Sequence, residues 1–409
     1  MKKVRDGYKI TELGEIPSDW NIMKLSEVAE IVMGQSPDSS SYNDTEDGVA
    51  FFQGKTEFGR INPVVKKWCN NPTKISKPLD ILISVRAPVG DVNINNIEAC
   101  IGRGLGAIRA TSSSNYKYLY YAIQKYNNQL KKASQGSTFE AINSNDLKGL
   151  KLPIPHIDEQ EKIALILSNV DEQIDNVDAL IEKNKELKKG LMQTLLTKGI
   201  GHTKFKTTEI GEIPEEWEVK KIIDIATTTS GGTPSRAKKE YYENGIYPWV
   251  KTGELYNKYI SETEEYITED ALKKSSAKLV QEGAVIIAMY GATIGKLSIA
   301  KRSVTTNQAC CSIICNDNIC YNEYLYYRLD FEKENIINLG AGGAQPNISQ
   351  DIIKSYKLAI PSIVEQQRIA LILSEIDEKI DEYENKKQKL EEIKKGLMQQ
   401  LLTGKIRVL

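Results

Sequence analysis

Apolar residues recur in alternating steps of four and three at Ile163, Leu167, Val170, Ile174, Val177 and Ile181. That spacing is a coiled-coil seam, because a 3.5-residue period keeps one stripe of a helix turned toward a partner helix. A second stripe runs through Ile369, Leu373, Ile376, Ile380 and Tyr383, then Leu390, Leu397 and Leu401. Asp, Glu and Lys fill the other faces, and a triplet such as Glu392-Ile393-Lys394 reads as an ordinary solvated face. Proline is absent from 156–197 and 362–409 but stands just upstream at Pro153, Pro155 and Pro361, where helices start. About 40 residues in each stripe make helices roughly 60 Å long. Neither stripe is stable against water, and folding back antiparallel is the economical way to pair them. Pairing with another protein is the alternative. The antiparallel arrangement predicts a rod with a globular domain at each end. Asn184 falls on the first seam where the second has Leu390, so it either fixes register as a buried amide or lies solvated. Gly190 and Gly396 mark either a close helix crossing or a fray.

Outside the stripes, short apolar runs are broken by Gly, Pro, Asn and Ser, the pattern of mixed α/β domains. Leu79–Val85 and Gly283–Met289 predict equivalent central strands, each ending in a glycine-bearing loop, Arg86–Gly90 and Tyr290–Gly295. The tyrosine pairs after 116 and 322 suit short helices with an aromatic face turned to the core; base-stacking platforms are the competing reading. The fold class is therefore α+β. Two mixed α/β domains, 1–153 and 199–359, are separated by long helices at 154–198 and 360–409, packed as an antiparallel coiled coil.

The chain is also written twice, and repeats outrank local motifs as fold signals. Thr11-Glu12-Leu13-Gly14-Glu15-Ile16-Pro17 with Trp20 returns as Thr208-Glu209-Ile210-Gly211-Glu212-Ile213-Pro214 with Trp217. Between 152–197 and 358–403, 27 of 46 positions are identical, including Ile163–Ser168 against Ile369–Ser374. Chance does not produce this. The interiors diverge, with echoes such as Ser36-Pro37 against Thr233-Pro234 and Tyr118-Leu119-Tyr120-Tyr121 against Tyr324-Leu325-Tyr326-Tyr327. A shared frame around a variable interior is what a protein reading two different targets needs. The internal pseudo-two-fold repeat would also offer one partner surface twice.

Composition adds limits. Residues 156–197 hold nine acids and five bases and 361–409 hold nine of each, so a total of −1 leaves +3 elsewhere. That permits nucleic-acid binding without arguing for it. Cys310, Cys311, Cys315 and Cys320 lack paired zinc spacing and read as buried strand thiols, which suits a reducing compartment. The charged N-terminus shows no secretion signal, and no stretch approaches the roughly 18 apolar residues of a membrane span, so a cytoplasmic chain is expected. Nothing catalytic holds together. Gly291-Ala292-Thr293-Ile294-Gly295-Lys296 is one residue short of a P-loop, and Leu297 stands where Mg²⁺ needs a hydroxyl. Gly102-Arg103-Gly104-Leu105-Gly106 misses the dinucleotide fingerprint by one position. His156 and His202 lie far from any evident nucleophile.

The doubled Gly-Glu-Ile-Pro-x-x-Trp entries, the Gly231-Gly232-Thr233-Pro234-Ser235 loop and the doubled Lys-Gly-Leu-Met-Gln (189–193 and 395–399) carry a resemblance. With Ile360-Pro361 to Glu365-Gln366 and its twin at 154–163, they make the chain similar to specificity subunits of type I restriction–modification enzymes, over nearly its whole length. The first copy departs at Met33-Gly34-Gln35-Ser36-Pro37. The resemblance implies two target-recognition domains on double-stranded DNA and two modification (methyltransferase) subunits, with motor-nuclease restriction subunits for cleavage. It places S-adenosylmethionine, ATP and Mg²⁺ on those partners, with no cofactor or metal on this chain and no catalytic residue. Methylation without a motor subunit, or an adaptor joining two proteins, are the alternatives.

Candidate base readers are polar side chains on divergent loops, since Arg reads guanine and Asn or Gln reads adenine through paired hydrogen bonds. In the first domain they are Gln35, Ser36, Lys55, Arg60, Arg86, Arg103 and Gln135; in the second, Thr233, Ser235, Arg236, Lys251, Tyr290, Gln308 and Gln345. Turn or surface duty competes for each. Arg103 and Gln308 rank first because they occupy similar places in their copies. Partner contacts are expected at the helix roots, Glu159, Gln160, Glu365 and Gln366, with capping or a local ion pair as the alternative.

Overall fold

A computed structural model describes residues 4–135, 141–340 and 347–408. Two compact units emerge, residues 1–179 with 384–409, and residues 180–383.

In the first unit the central strand Ile81–Ser84 is buried on both faces, as its unbroken apolar run requires. It lies in an antiparallel sheet ordered Val92–Ile94, Ile81–Ser84, Leu105–Ala110, Ala29–Met33. A second sheet is ordered Tyr42–Asn43, Trp68–Cys69, Val49–Phe52, Ala99–Ile101, Ile75–Ser76, with Val49–Phe52 and Ala99–Ile101 parallel. The second unit repeats the plan around Val285–Ala288, flanked by Leu297–Ala300 and Cys310–Cys315, with Ala226–Ser230 beyond the latter. Its companion sheet is ordered Tyr266–Ile267, Tyr247–Val250, Val304–Thr306, Leu279–Val280. Both predicted central strands are present.

The tyrosine segments form helices Tyr116–Tyr126 and Asn322–Phe331. Tyr118, Tyr121, Tyr324 and Tyr327 are core residues. The Tyr118 hydroxyl donates to the Pro153 carbonyl at 2.6 Å and that of Tyr324 to Ala359 at 2.9 Å, which satisfies each buried polar tip.

Helices Ile157–Lys198 and Ile363–Leu401 each contribute to both units. In the first unit Asp171 meets Lys394 at 2.8 Å and Asp178 meets Lys387 at 2.7 Å. Seven residues forward on one helix match seven back on the other, so the segments run antiparallel. The seam residues Ile163, Leu167, Ile174 and Val177 are buried there, as are Ile369 and Leu373 in the second unit. Two alternatives left open by the sequence are decided, and one expectation is corrected. Gly190 and Gly396 mark no crossing: a Cβ at either would meet nothing within 4 Å. Asn184 is partly exposed and donates to the Leu180 carbonyl of its own helix at 2.7 Å. Lys394, assigned to a solvated face, instead reaches a carboxylate that is 1% exposed.

That carboxylate belongs to a network built twice. In the first unit the Asp171 carboxylate accepts from Tyr121 at 2.6 Å, Lys394 at 2.8 Å and Arg60 at 2.7 Å. In the second, Asp377 accepts from Tyr327 at 2.6 Å and pairs with Lys188 at 2.6 Å. Each lysine also stands 5.5 Å from the centre of its tyrosine ring. Each network ties a globular helix to both long helices.

Candidate nucleic-acid interface

At one end of each central sheet, three backbone segments converge. In the first unit the loop after Ala29–Met33 is held where Gly34 N–H donates to the Leu105 carbonyl and Gln35 N–H to that of Ile101, at 2.9 and 3.0 Å. A Cβ on Gly34 would lie 2.2 Å from the Gly102 carbonyl oxygen, so only glycine allows this approach. In the second unit Gly232 N–H donates to Thr306 at 2.9 Å, and a Cβ on Gly231 would meet the Thr306 oxygen at 2.1 Å. The glycine that both loops share is thus a packing requirement. Tyr42 and Tyr242 brace the loops from behind, donating to the carbonyls of Pro37 at 2.8 Å and Pro234 at 2.6 Å. Tyr42 stacks on Phe51 at 4.5 Å and Tyr242 sits edge-on to Trp249 at 5.9 Å. Sequence reading missed these braces. Their signal was a tyrosine five or eight residues beyond the loop proline.

The frame presents different chemistry in each copy. In the first, Ser36 Oγ accepts from the Arg103 backbone N–H at 3.3 Å, which brings Gln35, Ser36 and Arg103 together. Arg86 stands beside them, because Val85 N–H donates to the Gly104 carbonyl at 2.9 Å. The side chains of Arg86 and Arg103 are exposed and meet no carboxylate among the described residues. Lys55 pairs with Asp91. In the second copy Thr233 donates to the Gln308 side-chain oxygen, and both are exposed. Arg236 lies over Tyr242 at 4.5 Å and Trp249 at 4.8 Å and pairs with Glu265, which also takes Lys251 at 3.0 Å. Hydrogen bonding from Arg236 first, against a smaller opposing effect of burial, pulls the Glu265 carboxyl down to about 2. Ser235 is exposed on the same loop. Tyr290 is half-buried and its backbone bridges Asn347.

Other expected residues fall elsewhere. Arg60 is corrected: its guanidinium is committed to Asp171 and Asp175 on the long helix, away from the loops. Gln135 caps the end of helix Asn128–Ser134. Gln345 lies outside the described residues.

The four helix-root residues are corrected as well, since they work inside the chain. Trp20 Nε1–H donates to Glu159 at 2.9 Å, and Arg407 pairs with the same carboxylate at 2.7 Å. Trp217 and His202 engage Glu365 at 3.1 and 3.0 Å. Gln160 and Gln366 receive the N–H of Asn115 and Tyr321 at 2.9 and 2.8 Å and donate to Pro155 and Pro361. Glu159, Gln160 and Gln366 are at most 4% exposed, which leaves no surface for a partner.

Two copies of one frame with different exposed side chains fit a match found twice along the chain: residues 17–187 and 214–394 each match the type I restriction modification DNA specificity domain. The chain belongs to the type I restriction–modification specificity-subunit family. The MjaVIII specificity subunit of Methanocaldococcus jannaschii is 27% identical over 404 residues, covering 96% of this chain and 94% of that one. Another protein of that organism is 42% identical over 194 residues, which span 46% of this chain and 45% of that protein. The crystal structure of a type I restriction–modification S subunit from M. genitalium shares the fold, with a TM-score of 0.66 at 17% identity, covering 98% and 97% of the two chains. As a specificity subunit the chain serves sequence-specific DNA recognition. Among the described residues no helix is long and apolar enough to cross a membrane.

Proposed function

We propose that each globular domain of this specificity subunit reads one half of a bipartite double-stranded target, without catalysing any step itself. One observation carries this reading: the same glycine-pinned loop frame displays Ser36 and Arg103 in one copy and Thr233 and Gln308 in the other. Phosphate contacts would position each frame, and these side chains would select bases. Arg86, Ser235 and Arg236 complete the reading set, with Gln35, Lys55, Lys251 and Tyr290 at its edges. The paired helices would set the gap between half-sites. S-adenosylmethionine, ATP and Mg²⁺ belong to the chemistry of partner subunits.

Two modification subunits would dock on the duplicated helix segments. Leu165 and Leu371 are each 60% exposed within an identical hexapeptide whose neighbours Ile163, Ala164, Leu167 and Ile369, Ala370, Leu373 are buried. One apolar side chain offered twice favours two copies of one partner. Motor-nuclease restriction subunits would join that assembly.

Methylome sequencing of cells expressing the chain with a modification subunit tests the proposal. A two-part methylated motif with a fixed gap is expected. Exchanging residues 1–153 for those of another specificity subunit should replace one half and leave the other. Replacement of both halves, or methylation without sequence preference, refutes it. Removing one heptad from each helix should shorten the gap by about three base pairs, at 1.5 Å per residue and 3.4 Å per base pair.

A further inference from the structure

Four of the six cysteines lie in the second unit, and two of them face each other. Cys315 ends strand Cys310–Cys315, Cys320 closes the turn that follows, and their sulfurs are 3.3 Å apart. Cys320 is fully buried. Cys315 is half-buried and, with Cys320, Glu282, Asn322, Ile363 and Gln367, lines an open cavity of about 430 Å³. Cys310 and Cys311 are buried within the same strand and do not line this cavity.

The frame does not require this sulfur. Cys315 pairs with Ala226 as Ala110 pairs with Ala29 in the first unit. Cys320 precedes the residue whose N–H bonds Gln366, as Ser114 precedes the residue whose N–H bonds Gln160. The first unit therefore holds Ala and Ser at the same places, and the thiol pair is an addition confined to the second.

We propose that Cys315 and Cys320 form a dithiol–disulfide site that hydroperoxides oxidise through the cavity. Deprotonated Cys315 attacks one oxygen of hydrogen peroxide, the O–O bond breaks, and a sulfenic acid forms while the departing hydroxide takes up the proton as water. Cys320 sulfur then attacks Cys315 sulfur. The S–S bond forms, the S–O bond breaks, and hydroxide leaves with the Cys320 proton as a second water. Two thiols are oxidised and one peroxide is reduced. The hydrogen bond with Cys315, and then burial, hold the Cys320 thiol protonated, which assigns first attack to the accessible sulfur. A small thiol reverses it: its sulfur attacks Cys315, the S–S bond breaks and Cys320 leaves as the thiol, and a second thiol then frees Cys315 and departs as the small disulfide. The bond would tie the strand end to the turn anchored on the long helix, where Gln366 Nε2 donates to the Ile319 carbonyl at 2.8 Å.

The full-length reduced chain is exposed to hydrogen peroxide under native conditions, then denatured, and its thiols are counted by alkylation and mass spectrometry. Two thiols should be lost and recovered with dithiothreitol, and fragment ions should join Cys315 to Cys320. Cys315→Ala and Cys320→Ser install the residues the first unit already tolerates. Cys315→Ala should keep all its thiols, and Cys320→Ser should stop at a dimedone-reactive sulfenic acid on Cys315. Six free thiols in peroxide-treated wild type, a bond between other cysteines, or equal loss in Cys315→Ala overturns the proposal.

Discussion

Asp171→Asn removes a charge from the first tyrosine–aspartate–lysine network while keeping its shape. The carboxylate is 1% exposed and receives Tyr121, Lys394 and Arg60. Asparagine can still accept from Tyr121, but Lys394 loses its counter-charge and Arg60 keeps only Asp175. Removing one member of a fully buried pair costs about 3–5 kcal/mol. The side chains of Lys394 and Arg60 keep 19% and 32% exposure and regain some hydration, which brings the expected loss to about 2–3 kcal/mol. Asp377→Asn provides the internal comparison. Asp377 is 20% exposed and has one cation, Lys188, so about 1–2 kcal/mol is expected. Tryptophan fluorescence would blur the units, because Trp20 and Trp68 lie in one and Trp217 and Trp249 in the other. Hydrogen exchange read by mass spectrometry separates them within the intact chain. Asp171→Asn should accelerate exchange over 164–178 and 388–400, and Asp377→Asn over 184–195 and 370–383. Burial opposes ionisation of Asp171, yet the hydrogen bonds from Lys394 and Tyr121 outweigh it and hold its carboxyl below the ordinary 3.8. Its stabilisation is therefore complete at neutral pH and is lost as pH falls through that lowered value, while the variant shows no such loss. Unchanged exchange in the first unit, or equal effects of both variants on one unit, would refute the reasoning.

Further outcomes follow from the loops and helices. Arg103→Ala should cost about 1–3 kcal/mol of discrimination at one base of one half-site, read as relaxed methylation there with the other half unchanged. Gly231→Ala places a Cβ 2.1 Å from the Thr306 oxygen, so methylome motifs should lose selectivity in the second half-site alone. Leu165→Asp and Leu371→Asp should each release one modification subunit, seen by native mass spectrometry as a one-to-one complex; full two-to-one assembly in both variants would remove these leucines from the partner surface.

The repeat, the seams and both central strands were legible because each is a local pattern: identity at a fixed offset, period 3.5, or an unbroken apolar run. The networks were not. Asp171 and Lys394 sit 223 positions apart among many charged neighbours, and nothing local separates a lysine that reaches a buried carboxylate from one in water. Arg60 failed as a reader for the same reason, since its partners lie 111 and 115 residues away. The loops gave up their glycines and variable tips, but not the bracing tyrosines, whose role depends on which carbonyl folds within reach. Glu159 and Gln160 were singled out because the repeat preserves them. Identity between copies marks a shared internal duty as readily as a shared outer surface.

Residues 384–409 belong to the first unit, although residues 180–383 precede them in the chain. Tyr8 donates to the Gly404 carbonyl at 2.7 Å, and Arg407 closes on Glu159 and Asp19. During synthesis the ribosome therefore releases residues 180–383 as a finished body while residues 1–179 still await their closing piece. Order of translation and order of completion are reversed, and a chain that stopped before residue 384 would leave the earlier-made reading domain, rather than the later one, exposed to proteases.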